Sequence, residues 1–201
     1  MKVSLQNAGK RFNRDWIFRS CSHEFLPLHS YAITGPNGSG KSTLLQVIAG
    51  ATLHSEGLIS YTNNQQAVAE PYKLISIAAP YMELIEELTA TEMLKFHAAF
   101  KPLNLSIPEM LAAVQLDKAA NKQIRYFSSG MKQRLKLAQA FFTDTPALLL
   151  DEPTTNLDKD GVQVYRTLMQ TQLGKKLIII SSNVIEEYDF CNEVLRVDRF
   201  R

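Results

Sequence analysis

Eight consecutive residues, Gly35 to Ser42 (GPNGSGKS), have the types and spacing needed to hold a phosphate group. They fit G-x-x-x-x-G-K-[S/T], the P-loop pattern. Glycines let a backbone curl closely around an anion because no Cβ blocks the approach, so successive N–H groups can donate to its oxygens. In this pattern Lys41 can reach the outer phosphates and the Ser42 hydroxyl can ligate Mg²⁺. The predicted chemistry is the binding of a nucleoside triphosphate with its magnesium ion.

The elements on either side of this loop are those that the motif requires. Tyr31–Thr34 is apolar enough for a short buried strand, and residues 41–49 have the pattern of a helix that ends at Gly50. The helix would direct its N-terminal partial positive charge at the same anion. This context favours a phosphate site over a glycine-rich turn that merely opens a helix. The residues expected to contact the phosphates are Gly35, Pro36, Asn37, Gly38, Ser39, Gly40, Lys41, Ser42 and Thr43.

Two adjacent acids follow a second apolar segment. Ala147–Leu150 has no alternation, as is typical of a central parallel strand, and it leads directly into Asp151 and Glu152. Two carboxylates at a sheet edge repel each other unless a cation or a catalytic role compensates. In a P-loop protein the first acid can hold Mg²⁺ together with the P-loop hydroxyl, here Ser42. We therefore assign Asp151 to the metal and Glu152 to the polarisation of an attacking water.

Phe12 precedes the P-loop by about two dozen residues. An aromatic face at that point could stack on an adenine ring, an interaction that contributes about 1–3 kcal/mol. Taken alone, the residue is better explained as an ordinary loop aromatic that packs on the sheet.

Composition excludes several classes of protein. The chain has 201 residues and a formal net charge of +2, so neither nucleic acid nor anionic lipid is an expected partner. No apolar run approaches the roughly 20 residues of a membrane span, and the first residues lack the apolar core of a signal peptide. Cys21 and Cys191 are far apart in sequence and are expected to be buried free thiols. The basic residues Lys132, Arg134 and Lys136 favour a solvated helix face over a nucleic-acid surface.

The periodicity predicts an α/β fold with an N-terminal β region. Alternation predicts a strand at 2–8, and short strands are expected at 16–18, 21–26, 58–61 and 73–78 around a polar loop at 63–66. Helical spacing then dominates residues 82–142. Strand–helix–strand alternation returns at 147–150, 159–173, 177–180 and 193–197, which implies a mainly parallel sheet. We predict a core of residues 1–81 and 143–201 with a helical lobe inserted at 82–142.

Three helix starts carry recognisable caps. Thr89 with Glu92 makes a capping box, Ser106 with Glu109 makes another, and Ser128 begins a third helix.

Together these residues resemble an ABC-type ATPase, the nucleotide-binding subunit of an ABC transporter, over essentially the whole chain. Five segments carry the resemblance: Phe12, 89–92 (TATE), 127–131 (FSSGM), 151–153 (DEP) and 154–158 (TTNLD). FSSGM is similar to the family signature LSGGQ, DEP to the end of the Walker B strand, and TTNLD to the D-loop. Phe12 stands where the family keeps its adenine-stacking aromatic, so the resemblance reverses the interpretation of that residue alone.

The resemblance implies a P-loop NTPase core and ATP hydrolysis in a head-to-tail dimer. Each ATP would lie between one P-loop and the signature residues Ser128, Ser129 and Gly130 of a second copy or a homologous subunit. Asp158 would help to join the two halves. Separate integral membrane subunits would carry the transport, with this chain cytoplasmic and peripheral at the inner face of the membrane. The length is similar to that of small exporter-type subunits such as the haem-exporter ATPase.

Three departures from the family pattern bear on the rate of hydrolysis. The signature has Ser129 and Met131 in place of a glycine and a glutamine, and the Q-loop glutamine falls on Pro80. The switch histidine falls on Asn183, which can hydrogen-bond a γ-phosphate but cannot carry charge. Slow hydrolysis is therefore expected, with Glu152 and Asn183 as the catalytic residues. The departures also leave open a regulatory subunit that binds ATP with little or no turnover. A soluble ATPase acting on ribosomes or DNA is a third and weaker alternative.

Residues 80–100 are a hypothetical contact surface for a membrane subunit. The apolar residues Leu84, Ile85 and Leu88 motivate this hypothesis, although packing within the helical lobe explains them equally well.

Overall fold

A computed structural model describes residues 1–200 and groups them into two compact units. The first unit comprises Met1–Ile77, Thr145–Asp151 and Leu173–Arg201, and the second comprises Ala78–Asp144 and Glu152–Gln172. The segment 152–172 thus groups with the helical residues, whereas the sequence analysis assigned it to the α/β core. The division into core and lobe stays a prediction.

Nine strands form two sheets. The strands are Lys2–Phe12 (β1), Asp15–Phe25 (β2), Ser30–Thr34 (β3), Glu56–Asn63 (β4), Gln66–Ala67 (β5), Ile75–Ala78 (β6), Ala147–Asp151 (β7), Leu177–Ser181 (β8) and Glu193–Arg196 (β9). One sheet has the order β2-β1-β4-β5 with antiparallel pairs, and the other has the order β6-β7-β8-β3-β9. The pairs β7–β8, β8–β3 and β3–β9 are parallel. The α/β fold class with an antiparallel N-terminal sheet is confirmed.

The apolar core of the first unit joins both sheets to one helix. Helix α1 spans Lys41–Ile48, and its Leu45 and Ile48 belong to the same buried cluster as Val3 of β1 and Leu149 of β7. Every residue of β7 and β8 is buried. Strands buried on both faces show no polar alternation, which is why their sequences have none.

The first two strands are longer than predicted. β1 continues to Phe12, and β2 runs without a break through the residues predicted as two short strands. Asn7 and Ser20 adopt left-handed φ values of 48° and 51°, and the β1–β2 register shifts between Leu5 and Ala8 and again between Ala8 and Lys10. Such bulges interrupt the alternation of side chains without ending the strand, so the sequence pattern underestimates its length.

The second unit is built from four helices, and its caps are those expected. The helices are Ala90–Ala98 (α2), Ile107–Ala113 (α3), Ser129–Phe142 (α4) and Lys159–Gln172 (α5). Thr89 Oγ1 accepts from the backbone N–H of Glu92 at 3.2 Å, and Glu92 accepts from the N–H of Thr89 at 2.8 Å, which confirms the first capping box. Ser128 Oγ accepts from the N–H of Met131 at 3.2 Å, so α4 begins where predicted.

Helix α4 is more buried than its sequence indicates. Gln133 and Gln139 are buried, and the basic residues expected on a solvated face are half-buried: Lys132, Arg134 and Lys136. Gln133 satisfies its amide by donating to the carbonyl of Pro153 at 2.8 Å. A paired amide can be buried at little cost, so residue type alone does not predict its exposure.

Among residues 1–200, none of the helices has the length and apolarity that a membrane crossing requires. Cys21 and Cys191 are free thiols; Cys21 is buried as expected, whereas Cys191 is half-buried.

Candidate functional site

The P-loop connects β3 to α1 in a conformation that depends on its glycines. Gly38 and Gly40 adopt φ values of 75° and 98°, which favour glycine. A Cβ on Gly40 would meet Cγ2 of Ile17 at 2.4 Å, and one on Gly35 would meet Oγ of Ser39 at 2.8 Å. The loop is therefore a close-fitting backbone cradle that only glycine allows at these positions.

Lys41 lies against the carbonyl groups of the same loop. Its side chain is 6% exposed, and Nζ donates to the carbonyl oxygens of Gly35 at 2.9 Å and Pro36 at 3.3 Å. Ser42 and Thr43 follow in the first turn of α1 and are half-buried. The ammonium group and the helix N-terminus thus occupy the same short segment, where both favour an anion.

The parallel register brings the strand-end acid to the same edge of the sheet as the P-loop. Asp151 of β7 pairs with Ser181 of β8, and Ser181 pairs with Ile33 of β3, two residues before the loop begins. Neighbouring strands lie about 4.8 Å apart, so Asp151 is about 10 Å from the end of β3. Asp151 is 2% exposed. The predicted approach of Asp151 to the P-loop edge follows from this topology.

Asn183 also belongs to this edge. It follows β8, and its side chain contacts the P-loop directly: Oδ1 accepts from the N–H of Gly35 at 3.2 Å, and Nδ2 donates to Oδ1 of Asn37 at 3.2 Å. The Asn183–Asn37 contact is one that the sequence analysis did not predict. No short-range signal could have found it, because 146 residues separate the two asparagines.

The residues present fit a triphosphate and its magnesium ion. The cradle at Gly35 and Gly40 leaves no room for a Cβ, and the buried hydroxyl of Ser39 has no hydrogen-bond partner within residues 1–200. The Ser42 hydroxyl and the Asp151 carboxylate are oxygen donors of the kind that Mg²⁺ prefers. No group of three or more His, Cys, Asp or Glu in the described part of the chain could form a metal cage. Mg²⁺ in nucleotide sites usually takes one or two protein ligands, with phosphate oxygens and water completing the shell.

Phe12 stands at the end of β1 with its ring 49% exposed. The ammonium group of Lys10 lies 4.6 Å from the ring centroid, a cation–π distance. Phe12 therefore lies outside the apolar core, and about half of the residue is exposed.

The second unit brings together the other predicted residues. Ser128, Ser129, Gly130 and Asp158 line one open cavity of about 470 Å³. Asp158 Oδ1 accepts from the N–H of Gly161 at 2.8 Å, and this bond, with that from Arg134, lowers the pKa of the carboxyl group. The segments that resemble the signature and the D-loop are thus neighbours in this unit.

Glu152 begins the second unit's final segment in an unusual backbone conformation. Its φ is 42°, a left-handed value that is uncommon outside glycine, and its carbonyl accepts from the N–H of Thr155 at 3.1 Å. Non-glycine residues persist in this region when the surrounding structure enforces it, which often accompanies a functional role.

A glycine cradle between a strand and a helix, with an acid at the end of a parallel strand two positions away in the same sheet, defines a P-loop nucleotide-binding protein. Comparison with known proteins gives the family. Residues 18–155 match the family model described as ABC transporter, and the chain belongs to this family. It is accordingly an ATP-binding protein of the ABC ATPase type.

Two relatives match nearly end to end. The uncharacterized ABC transporter ATP-binding protein YybJ of Bacillus subtilis is 30% identical over 99% of this chain and 94% of its own length. The cytochrome c biogenesis ATP-binding export protein CcmA of Agrobacterium fabrum is 29% identical over 90% of this chain and 88% of its own. The chain spans only 62% of a further relative at 30% identity, Nod factor export ATP-binding protein I of Rhizobium leguminosarum bv. viciae.

Solved structures agree on the fold. A dimeric ATP-binding cassette in a post-hydrolysis state, bound to ADP and phosphate, superposes with a TM-score of 0.83. It is 23% identical, and the match covers 96% of this chain and 93% of that one.

Proposed function

We propose that this protein hydrolyses ATP in a head-to-tail dimer and thereby powers a transporter made of separate membrane subunits. The observation that carries the proposal is the clustering of Lys41, Asn183 and Asp151 at one edge of the parallel sheet. That arrangement supplies an ammonium group, a hydrogen-bond donor and a metal ligand around a backbone cradle. These groups suit a triphosphate better than any smaller anion.

Residues of the first unit hold the nucleotide in this proposal. Backbone N–H groups within residues 37–43 bind the phosphate oxygens, and Phe12 stacks on the adenine. Ser42 and Asp151 would hold the magnesium ion. When bound, the ion neutralises charge that develops on the phosphate oxygens.

The hydrolytic step is assigned to Glu152 and Asn183. Glu152 follows Asp151 directly and orients an attacking water as a general base, because its carboxylate can accept the proton. The Nδ2 group of Asn183 donates to the terminal phosphate. Since an amide cannot accept a proton or carry charge at this position, turnover is slow.

The second half of the site comes from another copy or a homologous subunit. The chain has one P-loop and one cavity lined by Ser128, Ser129 and Gly130 at the N-terminus of α4. A helix N-terminus with accessible N–H groups favours a phosphate. In a head-to-tail pair this end of α4 completes the partner's ATP site. Asp158 helps to join the two subunits. The dimer then lies on the cytoplasmic face of the membrane, held there by the transporter subunits.

The test is phosphate release with MgATP by the purified protein. Glu152→Gln should abolish turnover and trap an ATP-bound dimer that elutes early in size-exclusion chromatography. Glu83→Gln, an exposed acid in another segment, serves as the matched control and should hydrolyse ATP at the wild-type rate. Equal rates for Glu152→Gln and wild type would refute the assignment. Tight ATP binding without phosphate release in any variant would favour the regulatory alternative.

A further inference from the structure

The carboxamide of Asn183 is fixed at two points of the P-loop. Its Oδ1 accepts from the N–H of Gly35 and its Nδ2 donates to Oδ1 of Asn37, each at 3.2 Å. A backbone N–H can only donate, so the group facing Gly35 must be the oxygen of Asn183. Its nitrogen consequently faces Asn37, whose bonded atom must then be an oxygen. One backbone group therefore determines the orientation of both side-chain amides.

The parallel ladder explains why Asn183 reaches the loop. Ile33 of β3 pairs with Ser181 of β8, and the N–H of Ser182 donates to the carbonyl of Ile33 at 3.1 Å, which extends the pairing by one residue. Ser182 is buried, and its Oγ accepts from the N–H of Val184 at 2.9 Å. This turn holds the backbone at Asn183 opposite the first residues of the P-loop.

We infer that Asn37 is a positioning residue that sets the orientation of Asn183 for its contact with the terminal phosphate. A primary amide has two N–H donors, and Asn37 takes one of them. With the oxygen bonded to Gly35 as well, the plane of the carboxamide is fixed and the second N–H has a defined direction. The terminal χ angle of an asparagine is otherwise soft and nearly two-fold, so without Asn37 the group would sample other orientations.

The positioning of Asn183 by Asn37 deepens the proposed function. It rests on that function only for the contact between Asn183 and the terminal phosphate. The contact between Asn37 and Asn183 is a property of the protein without nucleotide and can be tested separately. Both side chains are exposed, so truncating either one should leave the fold intact.

The first experiment measures hydrogen exchange of the Gly35 backbone amide by NMR, without nucleotide. A net hydrogen bond contributes about 1 kcal/mol, so Asn183→Ala should speed exchange about fivefold. Asn37→Ala should speed it as well, by a smaller factor, and the double variant should exchange no faster than Asn183→Ala alone. Asn37→Asp keeps an acceptor oxygen for Asn183 and should stay close to wild type. Val184→Ala, a neighbouring exposed change, should have no effect.

The second experiment measures steady-state hydrolysis of MgATP by the same variants. Asn37→Ala should lower kcat several-fold with little change in KM, because the lost orientation matters for the transition state. Its effect should not add to that of Asn183→Ala, since both act through one side chain.

The outcomes separate the inference from the proposed function. Exchange at Gly35 that is equally fast in Asn37→Asp and Asn37→Ala, or effects that add in the double variant, would overturn the positioning role. A wild-type kcat for Asn37→Ala would also overturn it, even if the exchange results were as expected. A wild-type protein with no turnover would count against the proposed function alone, because the exchange experiment would still decide the contact.

Discussion

The guanidinium of Arg134 donates to Oδ1 of Asp158 at 2.8 Å, and the same oxygen caps the N-terminus of α5. Arg134 lies in α4, one turn beyond the residues that resemble the signature, and its side chain is only 11% exposed. It also donates to the side chain of Gln115. Asp158 therefore joins two helices of the second unit as well as ending the segment that resembles the D-loop. Asp158, which we assign to the contact between subunits, therefore also has a structural role within its own subunit.

Asp158→Ala should destabilise the protein more than Asp158→Asn. Asparagine keeps an oxygen for the N–H of Gly161 and for Arg134, whereas alanine removes the cap and takes the charged partner from Arg134, which keeps its bond to Gln115. We expect a fall in melting temperature of about 2–4 °C for the alanine variant and a smaller one for asparagine. Thermal unfolding followed by circular dichroism would measure both. Equal melting temperatures for the two variants would show that the cap contributes nothing.

Stability should fall in mild acid partly because of His97. Its Nε2 lies 2.8 Å from Oγ1 of Thr143, and that hydroxyl donates to the carbonyl of Gln139, so Nε2 is the donor in this pair. Burial, reinforced by Lys101, lowers the pKa of His97. The unfolded chain therefore binds a proton at a higher pH than the folded protein does. The free energy of unfolding should decrease as pH falls below about 6.5, the ordinary pKa of histidine.

His97→Gln should reduce this pH dependence, because glutamine can still donate to Thr143 but does not titrate. The measurement is urea unfolding at several pH values between 8 and 5 for both proteins. Some slope should remain in the variant, since burial also lowers the pKa of His23. If the two proteins lost stability in parallel over this range, His97 would not be the group responsible.

The glycine conformations of the loop and the buried acid at the end of β7 could be predicted from the sequence because each depends on local chemistry. Close approach of a backbone to phosphate needs glycine, and a buried acid after an apolar strand needs a cation. Capping residues such as Thr89 were predictable for the same reason, since the unpaired N–H groups of a helix end demand an acceptor.

What the sequence could not predict are contacts whose partners lie far apart or whose backbone departs from regular geometry. Asn37 and Asn183 meet only because β3 and β8 pair in parallel. The bulge at Ser20 interrupts the alternation of side chains in β2, so the sequence predicted two short strands instead of one long strand. Gln139 is buried in a helix whose basic residues favoured a solvated face. Periodicity reports the average environment of a position and does not identify its partner.

Lys136 should restrain the segment that follows β6. Its ammonium group donates to the carbonyls of Ala79 at 3.4 Å and Pro80 at 2.9 Å, and the N–H of Met82 bonds to the same carbonyl of Ala79. Lys136→Met should therefore speed hydrogen exchange of the Met82 amide several-fold, as measured by mass spectrometry of peptides covering 79–88.

Lys132→Met is the matched control for Lys136→Met. It removes the ion pair with Glu86 in the same segment, and exposed ion pairs contribute little. A smaller effect on exchange is expected. If both variants exchanged alike, the carbonyl contacts of Lys136 would not be what holds the segment.

Gly40→Ala should cost more stability than Gly174→Ala. Both glycines have left-handed φ values, 98° and 72°, which cost other residues roughly 1–2 kcal/mol. The added Cβ at Gly40 would also displace Ile17, whereas nothing lies within 4 Å of one at Gly174. Only the change at Gly40 should weaken MgATP binding, measured by calorimetry alongside chemical unfolding. Equal losses of stability would mean that the contact with Ile17 relaxes without cost.

Asn183→His should raise the rate of ATP hydrolysis. The imidazole can accept a proton and carry charge beside the terminal phosphate, which the carboxamide cannot do. The expected gain is in kcat, and it should vanish when Glu152→Gln is added, because the water would then lack its base. Asn183→Ala, which removes the donor altogether, should lie below wild type. A histidine variant no faster than wild type would mean that chemistry at this position does not limit turnover, and the slow step would have to be sought elsewhere, with Pro80 the next residue to substitute.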